Sequence, residues 1–400
     1  MNTFSFVANI ALGKETEKFK PYEERHFDSG WVNRTLKFNA IVGTNRFMCE
    51  IKGGSWADGH GSIKTFSENS TDSNGKRVKG DMIEIPWNER LLQSNVERVA
   101  AFKKFIIDLE VPGRRKQLQA IVEGEITDEA LAAAGVSNAE QVVEAYEKSK
   151  AKRHEYISEW DFAEAVYKLL NKDNIRQRKF RVSGNLVTTE YEGSFYQHYE
   201  VNRIYLAADD AEVSAEATIN VNFGKNAVDD GSVNEKGKYY INGYTFDYDS
   251  QRKTKIPCPI TLTLPVGADA KSKAYVELLK KNFTVNPLDG DICKELSVRV
   301  ECIDGAERLE LTTDMLSENE QELLTIGAIT MDELVRDRGQ QVYGDRIKEY
   351  IITSFARGWL SGARLTAYHE EDFVVPSIEK VDGEAIANEL FMDDEDDIII

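Results

Sequence analysis

Apolar and polar residues alternate through much of residues 1–87, and a period of two is typical of half-buried β-strands. In LKFNAIV, the residues Leu36, Phe38, Ala40 and Val42 share one face, and the run RFMCEIK alternates again after the turn GTN. Two alternating runs around a short turn predict a β-hairpin. The polar stretch SENSTDSNGKRVKG further along predicts a long loop.

Between residues 88 and 173 the spacing of the apolar residues changes to that of an α-helix. If the run NERLLQSNVERVAAFKKFIIDLE is a helix, one side of it carries the apolar residues Leu91, Val96, Val99, Phe102 and Ile106. The run SEWDFAEAVYKLL has the same spacing. This pattern predicts a helical segment that separates two β regions.

The alternation returns in residues 174–285. Within FRVSGNL, the residues that share one face are Phe180, Val182, Gly184 and Leu186. In YQHYEVNRIYLA the phase slips near Asn202 and Arg203, which indicates a bulge. Five or more short, coiled strands of this kind are typical of a small barrel.

Two further regions complete the chain. Residues 286–376 are predicted to be mixed α/β, with VRVECI as a strand and RIKEYIITSFARG as a helix. Residues 377–400 are rich in acid and sparse in aromatic residues, which predicts a disordered tail. The predicted fold class is therefore mainly β with α (α+β), with boundaries after residues 87, 173, 285 and 376.

The composition narrows the class of protein. The chain has 400 residues, a net charge of -19 and no apolar run of about 18 residues, so we expect no membrane span. Its four cysteines form no CxxC pair, which predicts reduced thiols in a cytoplasmic setting, without a zinc site or disulfides. An acidic total argues against a simple nucleic-acid binder, but binding depends on where the charges lie.

The sequence contains none of the common catalytic motifs. Walker, GxGxxG, GxSxG and HExxH patterns are absent, so we expect no enzyme and no cofactor. Asp247 and Asp249 in FDYDS are candidate metal ligands, although a polar strand end is the simpler interpretation. His198 is a candidate base, although a half-buried sheet histidine is again simpler.

Positive charge and aromatic rings coincide in the two β regions. The stretch from Lys14 to Lys52 contains eight basic and six acidic residues. The stretch from Asn174 to Leu206 contains five basic and three acidic residues. Cations contact phosphates and flat rings stack on bases, so this combination predicts a groove for a single strand. The candidate residues for nucleic-acid binding are Trp31, Arg34, Lys37, Arg46, Lys52, Trp56, Lys76, Arg77, Lys79, Arg178, Lys179, Arg181, Tyr196, Tyr199 and Arg203.

A different interpretation of the same rings is that they form the core. Phe38, Phe47 and Phe180 match the inward phase of their strands, so we assign them to the core. Tyr196 and Tyr199 lie on opposite faces of one strand, so at least one of them is expected to face solvent.

The run KFRVSGNLVTTEYEGSFYQHYEVNRIYL resembles the opening of an OB-fold, with a central glycine at Gly184. The whole layout is similar to the single-stranded DNA-binding proteins of bacteriophages and bacteria, in which OB barrels precede an acidic tail with an apolar tip. The similarity covers about residues 175–265 and, more weakly, the first 66. It implies one or two OB-like β-barrels with a helical insertion.

The resemblance also implies a role for the tail. In that family the tail docks onto replication and repair proteins and competes with DNA for the basic groove. The corresponding residues here are Asp393, Asp394, Glu395, Asp396, Asp397, Ile398, Ile399 and Ile400. This tip is all isoleucine instead of aromatic, and the helical segment has no counterpart in a simple one-barrel binder.

The sequence therefore predicts a non-catalytic single-stranded DNA-binding protein of phage replication or recombination, in the cytoplasm of the host. Its expected partners are single-stranded DNA and, through the tail, replication or recombination proteins. One alternative is a virion structural or protein-interaction protein that binds no nucleic acid. Another is a metal-dependent nuclease that uses Asp247 or Asp249.

Overall fold

The computed structural model describes residues 2–71, 73, 75–124, 127–233, 237–266, 269–286, 292–309, 312–313, 316–331, 333–334 and 342–376. The predicted acidic tail, including Asp393–Ile400, lies outside these residues. The described part of the chain is mainly β with a few helices, which confirms the α+β class. No helix in that part is long and apolar enough to cross a membrane.

The strands are numbered in chain order. Those of the N-terminal half are β1 (Thr3–Leu12), β2 (Tyr22–His26), β3 (Trp31–Val42), β4 (Asn45–Trp56), β5 (Ser62–Phe66), β6 (Ser70–Thr71), β7 (Arg77–Val78), β8 (Met82–Pro86), β9 (Phe105–Asp108), β10 (Arg153–Tyr156) and β11 (Lys179–Tyr191). The others are β12 (Ser194–Leu206), β13 (Ser214–Phe223), β14 (Val228–Asp229), β15 (Lys238–Asp249), β16 (Thr254–Pro265), β17 (Ile292–Leu309), β18 (Val342–Phe355) and β19 (Arg364–His369).

The helices lie mostly between strands. They are α1 (Gln93–Arg98), α2 (Arg114–Glu123), α3 (Asp128–Ala133), α4 (Ala139–Ala151), α5 (Glu159–Leu170), α6 (Ala270–Asn282) and α7 (Glu318–Thr325). Short 3-10 turns cover Trp87–Glu89, Ala101–Lys103 and Glu370–Phe373. Ser158 caps the N-terminus of α5 by accepting a hydrogen bond from the Asp161 backbone N–H.

Five strands pair in a closed cycle that we call the first ring. The antiparallel pairs are β1–β3, β3–β4, β12–β11 and β11–β1. A short parallel pairing of β4 with β12, at Cys49–Tyr199 and Glu50–Glu200, closes the cycle. The helix α5 comes between the third and fourth strands, and its buried Phe162 and Val166 join the core inside the ring.

Five later strands repeat the same order and form the second ring. Here β13 pairs with β15, β15 with β16, β18 with β17 and β17 with β13, all antiparallel. The parallel contact between β16 and β18 at Thr263–Ile351 closes this cycle. The helix α6 again follows the third strand. Antiparallel pairing of β1 with β13 joins the two rings, and one hydrophobic core runs through both.

The structure confirms the hairpin and the bulge that the sequence predicts. Leu36, Phe38, Ala40 and Val42 are buried on β3, which pairs with β4 around Gly43 and Thr44. The register between β11 and β12 shifts at Ser183/Gly184, so that Asn202 is left without a partner in the ladder.

Two predicted helices are wrong. The run from residue 88 to 110 contains only the short α1 and two 3-10 turns and ends in strand β9. Its apolar residues serve different neighbours: Val96 and Val99 pack with Ile85, whereas Ile107 joins the main core through β9. The run from residue 346 to 355 belongs to β18, because Tyr350 and Ile352 alternate into the core of the second ring.

The predicted boundaries after residues 87, 173, 285 and 376 stay a prediction. The strand pairings connect segments on both sides of them, since the first ring takes three strands before residue 57 and two after residue 178. The long segment between β4 and β11 is therefore an insertion between the third and fourth strands of the first ring. It contains β5–β10 and α1–α5.

Gly184 of β11 leaves no room for a side chain against the backbone of the neighbouring strand β12. A Cβ at this position would lie 1.9 Å from the carbonyl oxygen of Glu200, which is a backbone atom that cannot rotate away. We expect Gly184→Ala to lower the free energy of unfolding by about 2–3 kcal/mol through overpacking. Urea denaturation measures the change, with the half-buried neighbour Ser183→Ala as a control. A loss no larger than that of the control would contradict this account.

Candidate nucleic-acid interface

The hairpin of β3 and β4 sends one set of side chains into the core and the other outward. The register places Trp31 opposite Trp56, Lys37 opposite Glu50, and Ile41 opposite Arg46. The neighbouring strand β12 continues the surface, because Glu200 is the partner of Glu50. We call this surface the tryptophan face; its members are Trp31, Lys37, Arg46, Met48, Glu50, Lys52, Trp56, Tyr196, His198 and Glu200.

The two tryptophans of the hairpin contact each other edge to face. Their ring centroids are 5.3 Å apart and the planes meet at 81°. A Cβ at Gly54 would lie 1.9 Å from the Trp31 ring, so the glycine leaves room for that ring to lie across β4. On the other side, the His60 ring stacks on Trp56 at 4.7 Å and 22°. The pair is therefore held in place before any ligand arrives.

A cleft of about 300 Å³ adjoins this pair. Three tryptophans line it, from three different elements: Trp56 ends β4, Trp87 follows β8, and Trp160 lies in the first turn of α5. Guanidinium groups hold two of these rings, since Arg90 lies 4.1 Å from the Trp87 centroid and Arg34 lies 3.7 Å from that of Trp160. Such cation–π contacts fix ring orientation.

A buried carboxylate positions the lysines of the face. The Glu50 side chain is only 4% exposed, and its oxygens lie 2.6 Å from Lys52 Nζ and 3.6 Å from Lys37 Nζ. His198 Nδ1 lies 3.7 Å from the same group. Burial lowers the pKa of His198, although the charge of Glu50 acts in the opposite direction. Two ammonium groups thus share one carboxylate and leave the face locally positive.

Tyr199, a candidate in the sequence analysis, is not on this surface. Its ring is 4% exposed and lies about 5 Å from the rings of Phe4 and Phe6. Its hydroxyl is 3.3 Å from that of Tyr350, and burial raises its pKa well above the usual value. The prediction was wrong for Tyr199, whereas Tyr196 is 52% exposed as one member of the pair was expected to be.

Arg34 is also excluded from the surface. It is 7% exposed and points toward α5, where it donates to Glu24 at 2.7 Å, to Glu164 at 3.0 Å and to the Trp160 carbonyl at 2.9 Å. These contacts fasten the hairpin to the helix. A guanidinium with this many partners is a structural group, and it is not available to a phosphate.

The structure places the remaining basic candidates elsewhere. Lys179 donates to the carbonyls of Asp209 and Ala211, and Arg203 lies beside β9 and reaches the Ala101 carbonyl. Arg178 directly precedes β11 and Arg181 lies near its start, and β11 is separated from the hairpin by β1 on one side and β12 on the other. Arg77 lies in β7 and Lys76 and Lys79 flank that strand, beyond the end of the β5–β8 pair that is farther from Trp87.

Four residues of the site were missed by the sequence analysis. His60, Trp87 and Trp160 come from the insertion, and only the fold brings them to the hairpin. Lys348 lies close enough to affect the charge of His198, and it lines a second cleft with Phe195 and Gln197. Its position was hidden by the wrong helix prediction, since in strand β18 it lies on the same side as Tyr350, two residues further on, and both line this second cleft.

The carboxylates considered for metal binding have other partners. Asp247 accepts a hydrogen bond from the Thr188 backbone N–H at 2.9 Å, and Asp249 pairs with Arg252 at 2.8 Å. Among the residues that the structure describes, no group of three or more His, Cys, Asp or Glu side chains could hold a metal ion. The four cysteines are buried as free thiols, and burial raises the pKa of Cys258 to about 12.

Comparisons with known proteins give little guidance. No protein-family model and no curated protein matches this sequence. Among solved structures, a deletion mutant of the single-stranded DNA binding protein from Thermus aquaticus aligns with 76% of this chain and 87% of its own. The identity is 8% and the TM-score is 0.26, and at these values we draw no conclusion about fold or function from the likeness.

Glu200 adds a negative charge to the tryptophan face, and this charge depends on pH. Burial raises the pKa of Glu200, as do the neighbouring charges of Glu50 and Asp247, against the effect of Lys52. A raised pKa means that the carboxylate takes up its proton at a higher pH than an ordinary glutamate. Acidification therefore removes one negative charge from the face.

We expect Glu200→Gln to tighten the binding of a labelled oligo-dT at neutral pH and low salt by roughly fivefold, equivalent to about 1 kcal/mol for one nearby charge. As the pH falls through the raised pKa of Glu200, the oligo-dT affinities of the wild-type protein and the Glu200→Gln variant should converge. His198 is common to both, so their difference reports Glu200 alone. Fluorescence anisotropy at several pH values tests this, and a pH-independent difference would contradict it.

Proposed function

We propose that this protein binds single-stranded DNA through the tryptophan face and performs no catalysis. The observation that carries the proposal is the register of one hairpin. It sets the outward Trp31 and Trp56 on the same surface as Lys37, Arg46 and Lys52. Flat rings and cations on one strand pair are what a single strand requires of its binding surface.

We further propose that both rings are OB-type barrels. Each consists of five strands in the same cyclic order, and each has a helix between its third and fourth strands. An OB-fold binds oligonucleotides on its second and third strands. In the first ring those strands are β3 and β4, which carry most of the tryptophan face.

The energetics follow from the two kinds of side chain. Each base that stacks on an aromatic ring contributes roughly 1–3 kcal/mol, whatever its identity. The lysines and Arg46 contact phosphates and release counterions, so the affinity falls as salt rises. A protein with a net charge of -19 thus binds an anion through a local surface, and not through its mean charge.

The test uses a labelled oligo-dT and fluorescence anisotropy at low and high salt. The wild-type protein should bind at low salt and weaken steeply as salt increases. Replacing both Trp31 and Trp56 by alanine should weaken binding by about 30-fold or more, since two stacking rings are lost. Phe102→Ala removes an exposed aromatic ring outside the face and should change nothing.

Charge variants provide an independent measure. Lys52→Gln should reduce the slope of log affinity against log salt by about one. Failure of the wild-type protein to bind even at low salt would overturn the proposal. If the protein instead forms large assemblies without DNA in size-exclusion chromatography with light scattering, the virion structural alternative replaces it.

We propose in addition that residues 393–397 and the three isoleucines dock onto a replication or recombination protein, as the resemblance to phage and bacterial binders implies. Removing Asp393–Ile400 should leave the fold intact and DNA binding equal or tighter, because five acidic residues that compete for the groove are lost. Circular dichroism and the same anisotropy titration measure both effects. Weaker DNA binding after truncation would contradict this role.

A further inference from the structure

The second ring carries its own row of aromatic side chains on an outer surface. Tyr240, Tyr244, Phe246 and Tyr248 occupy alternate positions of β15, between the buried Ile241, Gly243 and Thr245. Like β3 in the first ring, β15 is the second strand of its ring. We call this row the β15 face.

The chain covers part of the β15 face with a segment of its own, which we call the strap (residues 364–376). The ring of Tyr368 stacks on Phe246 with centroids 4.4 Å apart and planes 18° apart. The ring of Phe373 stacks on Tyr244 at 4.4 Å and 19°. Two near-parallel stacks from one short segment show that this surface accepts flat rings at two neighbouring sites.

The strap is attached at its edges. Its strand β19 pairs with the start of β17, and the Arg252 side chain donates to the carbonyl of Pro376 at 2.7 Å. Glu370 accepts from the Lys225 backbone N–H at 2.7 Å, where Gly224 leaves space for the carboxylate. None of the strap's residues, all of which the structure describes, is buried. A segment with so little burial opens at low free-energy cost.

The chemistry of the strap is similar to that of a single strand. Between its two stacking rings lie three acidic residues, Glu370, Glu371 and Asp372. Flat rings separated by negative charges are also what bases and phosphates present to a protein. The surface that holds the strap is therefore suited to bases.

We propose that the β15 face is a second binding surface for single-stranded DNA, and that the strap occupies it until a strand displaces Tyr368 and Phe373. The proposal rests on the proposed function of the first ring. Because the strap competes with DNA, the apparent affinity of the β15 face equals its intrinsic affinity multiplied by the fraction of molecules in which the strap is open. A strand long enough to span both rings would engage the tryptophan face first and the β15 face second.

The first experiment isolates the β15 face. In a protein with Trp31→Ala and Trp56→Ala, adding Tyr368→Ala and Phe373→Ala should tighten oligo-dT binding roughly tenfold, since two competing stacks are lost. Further replacement of Tyr244 and Phe246 by alanine should cancel the gain. The matched control is Leu365→Ala with Val374→Ala, two exposed strap residues that make neither stack.

The second experiment uses the wild-type chain, so it does not depend on how the variants fold. Amide hydrogen exchange is measured with and without a saturating long oligo-dT. Faster exchange in residues 364–376 of the complex supports displacement of the strap, and unchanged or slower exchange overturns it. If the wild-type protein binds no oligonucleotide, the proposed function itself fails; if it binds through Trp31 and Trp56 while the strap variants gain nothing, only the second surface is refuted.

Discussion

Both rings depend on the pairing of a single strand, β1. Over Thr3–Val7 it lies between β11 of the first ring and β13 of the second, and over Asn9–Leu12 it changes partner to β3. Its inward residues Phe4, Phe6, Ala8 and Ile10 belong to the common core. A strand shared in this way cannot shift by one residue without turning these four side chains away from that core. The register of β3, and with it the outward direction of the two tryptophans, follows from this constraint.

Much of the fold could be predicted from local pattern, because half-buried strands record which side faces the core. The alternation of β3 and β4, the slip at Asn202 and the amphipathic α5 are all visible in the sequence and confirmed in the structure. The segments around β9 and β18 were predicted wrongly, because their apolar residues have neighbours that are distant in the chain. For β18, the run Tyr350–Ile351–Ile352 fits either period, and pairing with β17 decides it. The order of strands around each ring is a property of long-range pairing and leaves no local signal.

The candidate site likewise contains some residues that the sequence pattern identifies and others that only the fold identifies. Trp31, Lys37, Arg46, Lys52, Trp56 and Tyr196 share a surface because they share a phase on paired strands, which a sequence displays. Arg34 and Tyr199 looked equivalent to them, yet one neutralises carboxylates beside α5 and the other packs among phenylalanines. Charge and aromaticity alone do not distinguish a surface group from a buried one. In the cleft, Trp87 and Trp160 come from an insertion more than 100 residues long, so these two members could be identified only from the fold.

The distribution of tryptophan gives the molecule an intrinsic optical signal. Four of its five tryptophans, Trp31, Trp56, Trp87 and Trp160, surround one hairpin and its cleft. The fifth, Trp359, lies 4.1 Å beneath the guanidinium of Arg364, where the strap begins. Emission from the unlabelled protein is therefore dominated by the first ring, whereas a variant that keeps only Trp359 emits from the base of the strap. Events at the two rings can be followed separately in time by the protein's own fluorescence.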